Sequence, residues 1–448
     1  MNSNALDPKV RELLLTGDDE TRREYCAALP DATLADQLKG LEVGTIWQIL
    51  SLVEPRRRAM VLGYFDLSLQ VEITESLSRD QLADLLTDMS ADERVDLFKK
   101  LPEDLQESVF PLLAKAERED IRKLSSYPEG TAGAIMTSDY VTLTPDLTVS
   151  QALEKLRRQW PGKETIYYAY VVDEKRHLLG FVSLRRLILS KPEAYVANIM
   201  KPEVIFVRAG ESRENTAKII AKHDLIALPV INGGDTLVGI VTHDDAMDAL
   251  TEEATEDILR MASTDAEEYE NPSFLQSVRW RSPWLTLNLG TASVSAFMIS
   301  RFQDTLSHYV ILAALMGMVA GLGGNAGTQT LAVTVRGIAL GKIPRAQGWR
   351  VIAREASVGF LNGIIIGSVL AIVAYLLFGK PWIGLIMFLA MTANLIVAGL
   401  FGSAIPLTLK ALKLDPALGS SIFVTCATDV SGFTIFLTLA TLLLPHLQ

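Results

Sequence analysis

The chain reads as a multi-domain membrane protein: an α-helical N-terminal domain, a tandem α/β pair, a connecting helix and a five-helix transmembrane domain. Three observations predict this class. Residues 271–448 hold four acidic side chains (Asp304, Glu355, Asp415, Asp429) against eleven basic ones, a formal charge of +7, whereas 1–270 hold the other 49 acids and 31 bases, a charge of −18. Apolar runs long enough to cross a bilayer crowd into the second part. A strand-and-helix pattern occurs twice before them. The boundaries fall at 1–130, 131–252, 253–275 and 276–448. A strongly acidic first part excludes nucleic acid as a partner. The only cysteines, Cys26 and Cys426, lie in different parts, which excludes a disulfide framework and a zinc site built on cysteine pairs.

Residues 1–130 repeat one kind of unit. Ser78-Arg79-Asp80-Gln81-Leu82 opens one, Ser90-Ala91-Asp92-Glu93-Arg94 the next, and Pro102-Glu103-Asp104-Leu105 a third. Each begins with a capping residue and acids, then runs apolar at helical spacing. The irregular period of about twelve residues predicts a small helical superhelix rather than a coiled coil.

Residues 131–252 alternate strands and helices. The first copy holds Tyr140–Leu143, a helix over Thr148–Arg158, Tyr168–Asp173 and Leu179–Leu184; the second holds Val204–Val207, a helix over Arg213–Lys222, Ala227–Ile231 and Leu237–Thr242. This duplicated pattern resembles a tandem pair of CBS domains, which sense ligands rather than catalyse. In nucleotide-binding members, Gly-apolar-x-Ser/Thr-x-x-Asp supplies a carboxylate for ribose hydroxyls. The second copy keeps it as Gly239-Ile240-Val241-Thr242-His243-Asp244-Asp245, whereas the first has Arg186 where the acid belongs. By this resemblance ATP would bind through Thr242 and Asp245 only. The alternative is a pseudo-symmetric fold without nucleotide.

From Asp244 to Glu270 the pattern stays helical and dense in acids, linking the paired repeats to the first span. Two such halves brought together in a dimer repel each other unless cations intervene. Magnesium suits that task, because it keeps most of its waters and needs one or two carboxylates per site.

Five apolar segments, at about 282–300, 309–338, 352–378, 382–408 and 419–444, are long enough to span a membrane. Nine lysines and arginines flank them on one side (Arg279, Arg281, Arg336, Lys342, Arg345, Arg350, Arg354, Lys410, Lys413) and two on the other (Arg301, Lys380). That count places the N-terminal part in the cytosol and the C-terminus outside, and the absence of a charged-then-apolar leader in Met1–Asp7 agrees. Gly317/Gly321 and Gly323/Gly327 have the spacing that lets helices approach closely. Asn325 and Gln329 share a helical face, and Gly399, Gly402 and Pro406 predict a kink or break in the fourth span. Five spans are few for an ion path in one protomer, so a pore shared by two identical subunits is expected.

Within the last apolar run, Asp429 is the only acid. A carboxylate there costs roughly 3 kcal/mol or more, which predicts a water-filled path or a cation beside it. The alternative is a packing carboxylate bonded to neighbouring hydroxyls.

Taken with the CBS-like repeats, Gly323-Gly324-Asn325-Ala326-Gly327-Thr328-Gln329, Asp415-Pro416-Ala417-Leu418, Glu164-Thr165-Ile166-Tyr167-Tyr168 and Glu253-Ala254-Thr255-Glu256-Asp257 give a chain that resembles the MgtE magnesium channels of bacteria over nearly its whole length. The resemblance implies a homodimer in the bacterial inner membrane with no other protein partner, passing hydrated magnesium at Asp429, with Gly324, Asn325, Gln329, Thr425 and Thr428 lining the pore. It also implies regulatory magnesium on the cytosolic side. Asp257, with Glu256 beside it, would share metal with Asp415 in the closed state. Asp245 and Asp248 would serve sites facing the N-terminal domain, where Asp84, Asp92 and Asp96 are candidates. Ile422 departs from the proline common in the family. The function expected is magnesium-gated magnesium uptake, not enzymatic catalysis. The rivals are a proton-coupled transporter of divalent metals and a membrane-bound sensor that transports nothing.

Overall fold

The computed structural model describes residues 8–159, 165, 167–264, 268, 273–344 and 347–443. Two compact units divide the chain, Met1–Glu253 and Ala254–Gln448.

The first unit opens with helices of seven to ten residues. Those starting at Pro55, Leu67, Arg79, Ala91, Glu103 and Lys115 are evenly spaced, so the period read from the sequence is regular over this stretch. Helices alternate in their packing: Pro55–Gly63 meets α1 (Arg79–Asp88), and Leu67–Glu75 meets α2 (Ala91–Lys100). The cap of α1 shows why the start is sharp. Ser78 Oγ accepts from the Gln81 amide at 3.3 Å while Gln81 Oε1 accepts from the Ser78 amide at 3.0 Å, so two otherwise orphaned donors are satisfied. Leu82, Leu85 and Leu86 then face the core. The Arg94 guanidinium is buried beside them, donating to the Leu86 carbonyl at 2.6 Å and the Met89 carbonyl at 2.8 Å.

Two three-stranded sheets follow. β1 (Thr142–Leu143) pairs parallel with β2 (Tyr168–Val172), which pairs antiparallel with β3 (Leu178–Ser183). In the second copy β4 (Val207–Arg208), β5 (Ala227–Ile231) and β6 (Leu237–Thr242) repeat the order. Register matches as well: Val171 faces Gly180 as Val230 faces Gly239, and each ladder slips at the next residue. Single bridges interlock the copies, Thr137 with Ile240 and Phe181 with Lys201. The longer helices are α3 (Val149–Gln159), α4 (Leu184–Leu189), α5 (Arg213–His223) and α6 (His243–Met261), with one turn at Val196–Ile199 between the copies.

That last helix differs from the expected connecting helix over 253–275. It starts at His243 and ends at Met261, and Ser263 at φ +59° turns the chain out of it.

Among the described residues, five long helices build the second unit: α7 (Phe274–Ser300), α8 (Ile311–Ala339), α9 (Gly348–Phe378), α10 (Pro381–Ala411) and α11 (Ser420–Leu443). Among the described residues, α8 to α11 are the four long and apolar enough to cross a membrane. α7 has the length but falls short in hydropathy, since Arg279, Arg281, Pro283 and Asn288 interrupt it. It packs on α11, with Trp284 lying against Gly419, whose φ of +60° suits glycine at the turn into α11.

Glycines set the helix spacing. Gly359, Gly363 and Gly367 line the face of α9 that meets α10; a Cβ on Gly363 would stand 2.7 Å from Thr392 Cα. Of the two predicted pairs, Gly323/Gly327 is buried against α10 and α11, while Gly317/Gly321 meets nothing within 4 Å in this chain. Of the kink or break predicted in the fourth span, the break is absent: α10 runs as one helix with Pro406 inside it. Gly399 and Gly402 serve close approach instead, to the backbones of Glu355 and Gly327.

Candidate functional site

In the first unit, acids gather around the start of α2. One carboxylate oxygen of Asp92 is buried without a hydrogen-bond partner. Loss of water contact raises its pKa most, opposed by hydrogen bonds from its own amide, Thr137 and Ser90 and reinforced by Asp139. Glu93 is pushed up to about 7, first by desolvation and then by the Asp92 charge, with Asp244 adding to it. Asp96 rises to about 6 for the same two leading reasons, with Glu252 and Glu129 contributing. Its side chain keeps an exposed surface, so solvent screening softens that shift. Asp248 is raised by desolvation and then by Asp244. The structure therefore brings Asp92 and Asp96 together with Glu93, Asp139, Asp244 and Glu252, four acids not singled out from the sequence. Asp84 is exposed and adds its charge to Asp88 instead.

An orphaned carboxylate oxygen among like charges fits a divalent cation. No three His, Cys, Asp or Glu side chains converge closely enough to cage a bare ion, among the described residues.

Asp245 accepts from the hydroxyl of Thr242 and, at 3.4 Å, from its amide. It thus caps the helix on which it sits. The matching position of the first copy uses Ser183, whose Oγ accepts from the Arg186 amide at 3.3 Å.

At one end of the membrane helices, Asp415 precedes α11. Its Oδ1 accepts from the Ala417 amide at 2.8 Å, and its Oδ2 from Arg260 near the end of α6. Arg260 also pairs with Glu256 one turn back. Asp257 on the same helix is partly buried.

Along α11, Asp429 is half-buried, and no hydrogen bond or ion pair engages its carboxylate among the described residues. The neighbouring Thr428 hydroxyl is committed elsewhere: its Oγ1 donates toward the carbonyls of Val424 at 3.1 Å and Thr425 at 3.0 Å. Thr428 is fully buried and packs against Gly327 of α8. Thr425 and Gly324 are partly exposed, and Asn325 and Gln329 face out of the protomer.

Two further polar groups lie inside the helix packing, Asn394 being visible in the sequence as a polar residue within the fourth span. Asn394, completely buried on α10, donates to the Val319 carbonyl at 2.9 Å and fits between Gly323 and Gly432, while its Oδ1 has no partner. Glu355, a buried acid on α9, lines a cleft of about 180 Å³ with Gln329, Thr330 and Asn362. Its signal in the sequence was a second acid inside an apolar run. Glu164 and Ile166, the acids Asp265, Glu267 and Glu270, Arg345 and residue 444 lie outside the described residues.

Comparison with known proteins matches residues 316–439 to the MgtE family of divalent cation transporters. Residues 29–130 match the MgtE intracellular N domain, and 132–192 and 196–252 match CBS domains. The magnesium transporter MgtE of Thermus thermophilus is 33% identical over 97% of this chain and 98% of its own length. That of Enterococcus faecalis is 36% identical over 74% of this chain and 73% of its own. A solved cytosolic domain of the Mg2+ channel MgtE in complex with ATP superposes with a TM-score of 0.50 at 36% identity, covering 53% of this chain and 97% of that one. Sequence and fold together make this chain a member of the MgtE family, a family of transporters rather than enzymes.

Proposed function

We propose that this protein is a magnesium uptake channel of the bacterial inner membrane. It works as a homodimer with five spans per subunit, its N-terminal unit in the cytosol and its C-terminus outside. The observation that carries the reading is Asp429, a half-buried carboxylate on an apolar helix with no hydrogen bond or ion pair among the described residues. Two copies facing each other would hold a cation through its water shell. At about 4 Å and an effective dielectric of about 20, one unit charge pair is worth roughly 4 kcal/mol. A divalent ion doubles that without shedding its waters, which favours it over a monovalent one. Gly324, Asn325, Gln329 and Thr425 supply the small and polar surface around that shell; Thr428, also expected there, is fully buried against Gly327 and packs α11 on α8 instead.

The gate rests on the acids outside the membrane. Internal magnesium would settle at Asp92 and Asp96, with Asp245 and Asp248 contributing, and at Asp257, Glu256 and Asp415, closing the pore when magnesium is plentiful. The orphaned Asp92 oxygen supports the first site. An adenine nucleotide would use Thr242 and Asp245, as the ATP-bound relative prompts; the capping bond of Asp245 would then give way to the ribose.

The test is magnesium flux into liposomes with internal magnesium varied, wild type against Asp429→Ala. The variant is expected to carry no flux, and wild-type flux from a folded variant sinks the pore assignment. Proton movement coupled to metal would favour a secondary transporter instead.

A further inference from the structure

Three contacts converge where α6 ends. The Arg260 guanidinium reaches the Asp415 carboxylate and that of Glu256, with Asp415 and Glu256 only 25% and 19% exposed. Met261, the next residue, packs against the buried cluster of Leu331, Val335, Ala417 and Val424, drawn from α8, the loop before α11, and α11 itself. Beyond it, the left-handed turn at Ser263 brings its Oγ to 3.3 Å from Ser421 Oγ in the first turn of α11. A charge pair, an apolar plug and a hydroxyl contact thus fix one helix end to the mouth formed by α8 and α11.

We propose that Arg260 is a tethered cation that latches the connecting helix onto the pore mouth, so that the closed arrangement keeps an attachment when no magnesium is bound. The inference rests on the reading that internal magnesium closes the pore. Guanidinium is always charged and forks onto carboxylate pairs, so it joins Asp415 to Glu256 as a bridging metal ion would, with a single charge. Magnesium then supplies only the remainder of the bias. A ligand shifts a two-state gate by its differential affinity alone, so a pre-set closed bias lowers the magnesium needed to shut it. Arg260 is a positioning residue in this scheme, outside the ion path.

Two readouts test it in the full-length protein. In liposome flux, Arg260→Gln is expected to raise the internal magnesium needed for half-inhibition at least about fivefold, within the usual range of coupling between sites. Arg260→Lys, which keeps the charge, should fall between Gln and wild type. Independently of magnesium and of flux, Ser263→Cys/Ser421→Cys with Cys26 and Cys426 replaced by serine should form a disulfide rapidly in chelator with diamide as the two-electron oxidant, and severalfold more slowly with Arg260→Gln. An unchanged threshold and crosslinking rate would overturn the latch, as would a lowered threshold, which would mean that the guanidinium competes with metal. If wild type itself ignores internal magnesium, the gating reading fails, while the crosslinking rate still judges the latch.

Discussion

Glu93 offers a measurement of how strongly the acidic cluster resists its own charge. Its folded carboxyl is raised to about 7 by desolvation and by Asp92, so the folded state holds a proton that the unfolded chain has released. Stability is therefore greatest below the unfolded pKa, falls as pH rises toward 7, and levels off above it. The gap between the ordinary glutamate value and about 7 corresponds to roughly 3 kcal/mol. Glu93→Gln keeps the shape and an acceptor for Ser90 but has no proton to lose. Without divalent cations it should match wild type near pH 4.5 and melt higher at pH 8, by roughly 5–10 °C for a unit of this size. Magnesium binding the ionised cluster stabilises wild type by mass action, so it should narrow the gap at pH 8. Thermal unfolding at both pH values, with and without magnesium, checks this. Equal melting temperatures at pH 8, or a gap independent of pH, would refute the assignment of strain to this carboxyl.

Other substitutions probe the scaffold. Arg94→Met removes charge-assisted bonds to the carbonyls of Leu86 and Met89 and should destabilise the first unit by about 2–4 kcal/mol in denaturant unfolding. Gly363→Ala places a Cβ against Thr392; overpacking of about 1–3 kcal/mol should lower the melting temperature of the detergent-solubilised protein. Asn394→Ala removes the donor to the Val319 carbonyl and leaves a void between Gly323 and Gly432. Magnesium flux per folded protein should fall, and unchanged flux would show that this amide does not position α8 and α11.

Periodicity and charge were enough to expose much of this protein. The twelve-residue helical period, the duplicated strands with Val171 and Val230 in matching register, and the four most apolar spans all follow from local patterns along the chain. So does the oddity of Asp429, because a charge in an apolar run is visible without knowing what surrounds it. Contacts between distant segments were not visible. Gly399 and Gly402 read as helix breakers, but whether a glycine bends a helix or admits a neighbour depends on what lies across from it, here Glu355 and Gly327. Glu93 and Asp139 are ordinary surface acids until packing brings them to Asp92. Arg260 and Asp415 stand 155 residues apart, and their pairing exists only once the end of α6 is laid against the turn into α11. Sequence alone determined which segments are helical, apolar or charged, since those are properties of neighbouring residues; tertiary structure decided which charges meet, because that depends on distances through space.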